Sequence, residues 1–389
     1  MNECTRYILV CAGEDSGDSI GESLVKAIVA DAHWGAVGAG GARMQAAGLR
    51  PIVDYETLPV SGFGDVVPKY FKLRQSFNQL KTALESPNCV GLIAIDYPGF
   101  NMKLVARAGE LRKPSLYVAP PQVWAWKRKR AKELAKNPFV KLAVFFEFEE
   151  TVYREVGCDV VRVQHPFVNS KIEIQNDRCA NGATRLCSSE FERDSRLRPL
   201  SEPQTILLPG SRKSQALRNL PIYLKAIHDL QNVLVIAARK ELVPAFEKFG
   251  TQVVVAPQNV EERKALYQAA QYAITAPGTA TLELALAGCP MMVCTKPDML
   301  TYCLGRLFVR TKYFALPNII MNRLVFPEYI VAPWENPDAL RKWIAPVIPN
   351  ACNDPGMTSG LALQAELREK LNVGKTLEQL ALEFLGQFV

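Results

Sequence analysis

The sequence predicts an α/β protein built as two Rossmann-like lobes, each a parallel sheet flanked by helices. Short β-branched runs alternate with longer helical patterns in two separate stretches. Each stretch opens on an apolar run that ends in a glycine-containing turn before a helix. The 389 residues also exceed the roughly 100–200 of one usual domain. Hydrophobic residues make up 48% and charged residues 22%, a globular balance that excludes disorder, collagen and coiled coil. Two such lobes imply a ligand cleft at the carboxyl ends of their strands.

The first lobe is expected over 1–168. Residues 7–12 read as its first strand, and a helix follows from about Asp18 to Asp31. Residues 36–40, 90–96, 115–120 and 142–146 are further strands. A long amphipathic helix is expected over 67–85, with Val67, Tyr70, Phe71, Leu73, Phe77 and Leu80 on its apolar side. Residues 169–203 are rich in Asn, Ser, Arg and Glu and read as a linker with an insertion. The second lobe, 204–355, places strands at 205–210, 232–238, 252–257, 272–277 and 290–294. Helices are expected near 337–347, 359–371 and 375–388, and those of 356–389 either pack back on the first lobe or exchange in a dimer.

No apolar run approaches the roughly 18 residues of a membrane span. The N-terminus lacks the order of a signal peptide, so a cytoplasmic protein is expected. The ten cysteines are dispersed without a CxxC pair and read as reduced thiols. Only three histidines occur, and no Cys, His or carboxylate cluster has ligand spacing, so neither a metal nor a cofactor is expected. The net charge of +7 suits phosphate-bearing ligands or an anionic membrane surface.

Five segments carry chemistry. Gly13 to Asp18 joins the first strand to the first helix, with Ser16 or Asp18 as candidate caps. Its carboxylates disfavour phosphate and suit sugar hydroxyls or proton transfer. Asp96 ends an apolar strand before a Pro-Gly turn, where it is either a general base or an anchor of the turn backbone. Trp124 and Trp126 precede the cations Lys127 to Arg130. That run suits nucleic acid, a membrane interface or simply a solvated helix start, and because cations cluster only locally no nucleic-acid partner is expected. Gly210, Ser211 and Arg212 open a helix suited to a phosphate, without the spacing of a Walker loop. Gly278 and Thr279 repeat that geometry, with Thr279 as cap. Glu283 is there either a capping-box carboxylate or a ribose acceptor. Two phosphate-type helix starts in one lobe point to a nucleotide diphosphate donor.

Taken in order, these segments resemble the lipid-A-disaccharide synthases, inverting glycosyltransferases of the GT-B fold. The family's AGExSGD loop is similar to Ala12–Asp18, its glycine-rich loop to Gly38–Met44 and its IDxPxFN motif to Ile95–Asn101. VWAW with following cations resembles Val123–Arg130, LPGSR resembles Leu208–Arg212, GTAxLE resembles Gly278–Glu283 and TxYxxLPN resembles Thr311–Asn318. The chain departs at Gly99, where the family has an acid, and at Gln164, Gln215 and Pro277.

The resemblance implies transfer of diacylglucosamine from UDP-2,3-diacylglucosamine to the 6-hydroxyl of 2,3-diacylglucosamine 1-phosphate (lipid X). The products are a β-1′,6 disaccharide 1-phosphate and UDP, with inversion. It makes Asp96 the first candidate base and Glu14 the second, and sets Arg212 on the leaving diphosphate. Gly210, Ser211, Gly278, Thr279, Glu283 and Asn318 line the UDP side, and Ser16, Asp18, Gly41, Asn101 and Gln122 the acceptor side. Because both substrates are acylated, peripheral docking on an anionic inner membrane is expected. Candidate contacts are Phe63, Lys69, Phe71, Lys72, Arg74, Trp124, Trp126, Lys127 and Arg128. A homodimer is implied as well. The competing readings are a non-catalytic nucleotide-sugar or lipid-binding protein, and another GT-B-like enzyme such as a UDP-sugar epimerase or an undecaprenyl-linked glucosaminyltransferase.

Overall fold

The structure is a computed structural model that describes residues 6–58, 63–124, 127–168, 204–227, 230, 232–308, 311–336 and 359–388. The expected linker at 169–203, the helix near 337–347 and Trp126 lie outside the described residues. So do the side chains of Phe63 and Lys69.

The chain divides into two compact units, one of 1–168 with 371–389 and one of 169–370. In the first unit strands and helices alternate: β1 Arg6–Ala12, α1 Asp15–Val29, β2 Trp34–Ala39, α2 Ala42–Ala46, β3 Arg50–Pro51, α3 Phe63–Glu85, β4 Cys89–Ile95, α4 Pro98–Glu110, β5 Ser115–Val118, α5 Lys129–Ala135, β6 Val140–Val144, α6 Glu147–Glu155 and β7 Asp159–Arg162. Its seven strands are ordered β3-β2-β1-β4-β5-β6-β7 and pair in parallel.

The second unit runs β8 Gln204–Leu208, α7 Lys213–Ala226, β9 Val233–Ala237, α8 Val243–Glu247, β10 Gln252–Val255, α9 Val260–Ala269, β11 Ala270–Thr275, α10 Thr279–Ala287, β12 Met291–Thr295, α11 Met299–Phe308, α12 Leu316–Met321 and β13 Glu328–Ile330. Its parallel sheet has the order β10-β9-β8-β11-β12-β13. Helix α13, Ser359–Leu371, belongs to this unit up to Lys370, and α14, Leu377–Leu385, to the first.

The central strands carry near-continuous apolar runs because both faces of each sheet are covered. Ile8 to Ala12 on β1 and Leu92 to Ile95 on β4 have no exposed surface. Helix α14 lies against α1 and buries Leu377, Leu380, Ala381, Phe384 and Leu385. Just beyond it the Phe388 ring meets Trp34 at 5.9 Å, and Arg6 Nη1 donates to the Phe388 carbonyl.

Several details differ from the sequence reading. The short strands β3, β7 and β13 have no counterpart in the sequence pattern; they are edge strands of two to four residues, too brief for a period-2 signal. Helix α1 starts three residues early, with Glu14 rather than Ser16 or Asp18 in the N-cap position and no side-chain cap. Thr279 is likewise inside α10, whose N-cap is Gly278; Thr281 donates to the Gly278 carbonyl instead. Phe71 is not on the packed side of α3: it is 77% exposed, while Ser76, Leu80 and Leu84 are buried.

Candidate active site

In both sheets the strand order reverses beside the first strand, and ligands of doubly wound folds bind at that point. In the first unit the reversal lies between β1 and β4, with Ala12 opposite Ile95 in register. The turns that follow these two strands are Gly13–Glu14 and Asp96–Tyr97. The geometry therefore brings together two segments more than 80 residues apart in sequence.

Asp96 (φ 46°) and Tyr97 (φ 49°) are consecutive residues in the left-handed region. Such backbone is costly for non-glycine residues and persists where surrounding bonds over-determine it. Here the Asp96 N–H donates to Val118 O at 2.9 Å, and the Asp96 carbonyl accepts from Tyr117 Oη at 3.0 Å and Asn101 Nδ2 at 2.9 Å. Tyr97 Oη donates to Leu58 O at 2.6 Å. Tyr97 also occupies the N-cap position of α4, with Pro98 at its start. The Asp96 backbone and its neighbours thus help to anchor the turn, and Asp96 is half-buried. Glu14 is half-buried too, and its charge reaches Tyr97, whose phenol is pushed up chiefly by burial and then by Cys11 and Glu14.

Asp18, Gly41 and Asn101 hold this arrangement. The Asp18 carboxylate is 6% exposed and accepts from Arg43 N at 3.1 Å and Met44 N at 3.2 Å, at the start of α2. Burial raises its pKa, and the N–H groups of Met44, Arg43 and Gly41 oppose that rise. A Cβ at Gly41 would stand 2.7 Å from Asp18 Oδ2, so glycine is what lets the carboxylate approach. Asn101 is fully buried and donates through Nδ2 to the carbonyls of Cys11, Ile95 and Asp96, tying β1 to β4. Ser16 is half-buried on α1, and Gln122 is exposed on the loop after β5. Gly99 is exposed with open space around it, so the residue missing there leaves no packing defect.

In the second unit the reversal lies between β8 and β11, with Leu208 opposite Thr275. Gly210 (φ 119°) turns the chain into α7, whose N-cap is Arg212, and Gly278 (φ 152°) turns it into α10. Two helix N-termini, with their positive dipole ends, therefore start from neighbouring strands. Ser211 and Arg212 are exposed, and Thr279 is the first residue of α10. Arg239 Nη2 donates to Ser211 O at 3.0 Å, and buried Asn219 donates to Pro209 O at 2.9 Å.

Glu283 accepts from Arg263 Nε at 2.6 Å and Nη2 at 3.4 Å, in a pair whose side chains are 15% and 9% exposed. It is not a capping-box residue, because the third position of α10 is Thr281, and Arg263 of α9 meets it. Asn318 is fully buried and its amide is spent within its own loop. It donates to Phe326 O and Glu328 Oε2 and accepts from Val325 N and Phe326 N.

The candidate membrane contacts are dispersed. Lys72 and Arg74 are exposed beside Phe71, along a shallow groove of about 760 Å³ that Ile52, Phe71 and Arg74 help to line. Lys127 and Arg128 are exposed. Trp124 is only half-buried: its Nε1 donates to Glu149 Oε1 at 3.3 Å and its ring meets Phe148 edge-on at 5.0 Å. Arg263, Arg239, Asn219, Tyr97 and Glu149 escape the sequence reading, since each meets a partner distant in sequence, Asn219 by accepting from Lys296 N. No group of His, Cys, Asp and Glu among the described residues is arranged to hold a metal ion.

Comparison with known proteins adds identity to this geometry. A family model described as lipid-A-disaccharide synthetase matches residues 8–339. Lipid-A-disaccharide synthase 1 of Legionella pneumophila is 33% identical over 386 residues, covering 96% of this chain and 94% of that protein. Lipid-A-disaccharide synthase of Geobacter sulfurreducens is 32% identical over 408 residues and the whole of both chains. Among solved structures, CalG4, the calicheamicin glycosyltransferase, shares the fold with a TM-score of 0.53 at 12% identity, over 100% of this chain and 99% of that one. A match spanning most of the chain, with relatives above 30% identity along their length, makes this chain a member of the lipid-A-disaccharide synthase family and a glycosyltransferase of GT-B fold.

Proposed function

We propose that the protein transfers 2,3-diacylglucosamine from its UDP derivative to the 6-hydroxyl of 2,3-diacylglucosamine 1-phosphate, releasing UDP with inversion. Family membership supports the reaction. The single observation that carries the chemistry is the placement of two half-buried acidic residues, Asp96 and Glu14, on the turns that follow the paired strands β4 and β1 at the switch point of the first sheet.

The acceptor hydroxyl attacks the anomeric carbon as UDP departs, through a transition state of oxocarbenium character. Asp96 takes the hydroxyl proton, and Glu14 orients the acceptor sugar. On the donor lobe, charge develops on the departing diphosphate. The N–H groups at the starts of α7 and α10 and the Arg212 guanidinium stabilise it. Gly210, Ser211, Gly278 and Thr279 form the backbone of that cradle. Glu283, held by Arg263, accepts from the ribose, since a carboxylate has lone pairs beyond the two that Arg263 uses. Asn318, Asp18, Gly41 and Asn101 act by shaping their loops.

The deciding experiment is a product assay with UDP-2,3-diacylglucosamine and lipid X, reading UDP release and the linkage formed. UDP release without a disaccharide product would overturn the reading, as would equal turnover of non-acylated UDP-glucosamine. No helix among the described residues is long and apolar enough to cross a membrane. Access to acylated substrates then comes from surface docking through Phe71, Lys72 and Arg74 on α3 and through Lys127 and Arg128. Co-flotation with anionic vesicles that weakens as salt rises supports that docking; no flotation at low salt would refute it.

A further inference from the structure

The mechanism leaves one buried carboxyl unused. Glu149 is the third residue of α6 and only 6% exposed. Its carboxylate reaches back over the start of α6, accepting from Phe146 N at 3.4 Å, and it accepts from Trp124 Nε1 at 3.3 Å. A glutamate at this cap position is ordinary. A carboxyl this deeply buried, bonded to an indole that itself meets Phe148 edge-on, is not what a cap requires.

We propose that Glu149 is a positioning residue for sugar transfer: it fixes the Pro120–Trp124 loop through Trp124, and its charge acts on Asp96. The role rests on Asp96 being the base. Three adjacent strands deliver the parts. Asp96 follows β4, the loop follows β5, and α6 follows β6, with Asp96 N bonded to Val118 O and Ala119 N to Ala143 O. Hydrogen bonds lock the three together. Tyr117 Oη donates to Asp96 O at 3.0 Å, Tyr153 Oη of α6 donates to Pro121 O at 2.6 Å, and Trp124 reaches Glu149. Ala119 (φ 50°), like Asp96, sits in strained left-handed backbone, so the loop is held against its own preference.

The charges around Glu149 define what it does. Burial pushes its carboxyl up to about 7; the Phe146 N–H, the Trp124 indole and the Phe145 N–H oppose this, and the Asp96 charge adds to it. Tyr117 and Tyr153 are both raised by burial, with Arg130 of α5 acting against that rise in each; Asp96, Tyr153 and Cys11 act on Tyr117, and Glu149 and Cys158 on Tyr153. Repulsion between carboxylates is mutual, so the charge of an ionised Glu149 bears on the carboxylate that takes the hydroxyl proton. Below pH 7 Glu149 is neutral and that charge is absent.

The test is the pH profile of kcat/KM for UDP release from the two acylated substrates. Wild type is expected to rise about three- to tenfold across pH 7 as Glu149 ionises. Glu149→Gln keeps the shape and the cap, and is expected to remain at the low-pH level. Trp124→Phe removes a donor to the ionised form, so its rise is expected at higher pH. A Glu149→Gln profile that overlays wild type, with Asp96→Asn inactive, would overturn the role of Glu149 alone. Retained activity in Asp96→Asn would instead overturn the base reading, and with it the action of Glu149 on that base. If Glu149→Gln melts well below wild type, Trp124→Phe decides: a displaced midpoint supports the proposal and an unmoved one overturns it.

Discussion

The Tyr97 ring occupies the space that a side chain on Gly13 would need: a Cβ built at Gly13 meets the ring at 2.4 Å. The turns after β1 and β4 are thus interlocked at the candidate site, and the missing side chain is a condition of that fit. Gly13→Ala is expected to displace Tyr97 from its bond to Leu58 and to cost about 1–3 kcal/mol of stability, the usual range for overpacking. Transfer activity should fall with it. Thermal melting and UDP release measure both, and unchanged values would show that Tyr97 moves aside without consequence.

Asp96→Asn is expected to fold normally and to lose about 10²–10⁴-fold in rate, the usual contribution of a general base. The backbone of residue 96, not its carboxylate, makes the bonds to Val118, Tyr117 and Asn101, and Asn tolerates left-handed backbone well. A rate within a few fold of wild type, at an unchanged melting temperature, would transfer the base role to Glu14 or water.

Glu283→Gln separates packing from recognition. The Arg263 guanidinium is nearly buried, with Nη1 also bonded to Pro257 O at 2.8 Å, and neutralising its partner strands that charge. Breaking such a pair costs about 3–5 kcal/mol. A lower melting temperature together with weaker UDP binding is expected by calorimetry. Weaker UDP binding at an unchanged melt would leave Glu283 with a ligand role alone. A lower melt at unchanged UDP affinity would leave it with a structural role alone.

His165 gives an acid-sensitive contribution of definite sign. It packs among Phe145, Phe146 and Phe167 with ring centroids 4.9, 6.0 and 4.9 Å away, and burial lowers its pKa to about 3. The unfolded chain, with a histidine near 6.5, binds a proton that the folded chain refuses. Its contribution is therefore full above about pH 6.5 and is lost as pH falls toward 3. His165→Asn should show a smaller drop in melting temperature between pH 7 and pH 4.5 than wild type. Parallel pH dependences would refute this assignment.

The legibility of the sequence followed the range of the interactions. The long strands announced themselves because a parallel sheet buried on both faces needs unbroken apolar runs such as Tyr7–Ala12. Their turns followed from Gly13, Gly210 and Gly278. Edge strands of two to four residues, such as Arg50–Pro51, have no period to detect. Phe71 shows the limit of helical periodicity: it fits the apolar side of α3 by spacing and still points to solvent. The site was legible as motifs, not as contacts. Glu283 stood out in the sequence, but its partner lies 20 residues earlier in another helix. Asp18 and Asn318 are short polar residues near turns, a kind that serves ligands and backbone alike, and their hydrogen bonds to backbone are visible only in the structure.

The place of α14 bears on how the protein is made. Residues 377–388 supply a wall of the first lobe, yet they leave the ribosome after the whole of the second. Until then the outer side of α1, the ring of Trp34 and the bare backbone at Gly91, which Phe384 and Phe388 close over, remain open. The half synthesised first is thus the half finished later, and the nascent chain carries an apolar seam through most of its elongation. A chain cut short before Leu377 would leave the first lobe unfinished although all of its strands were present.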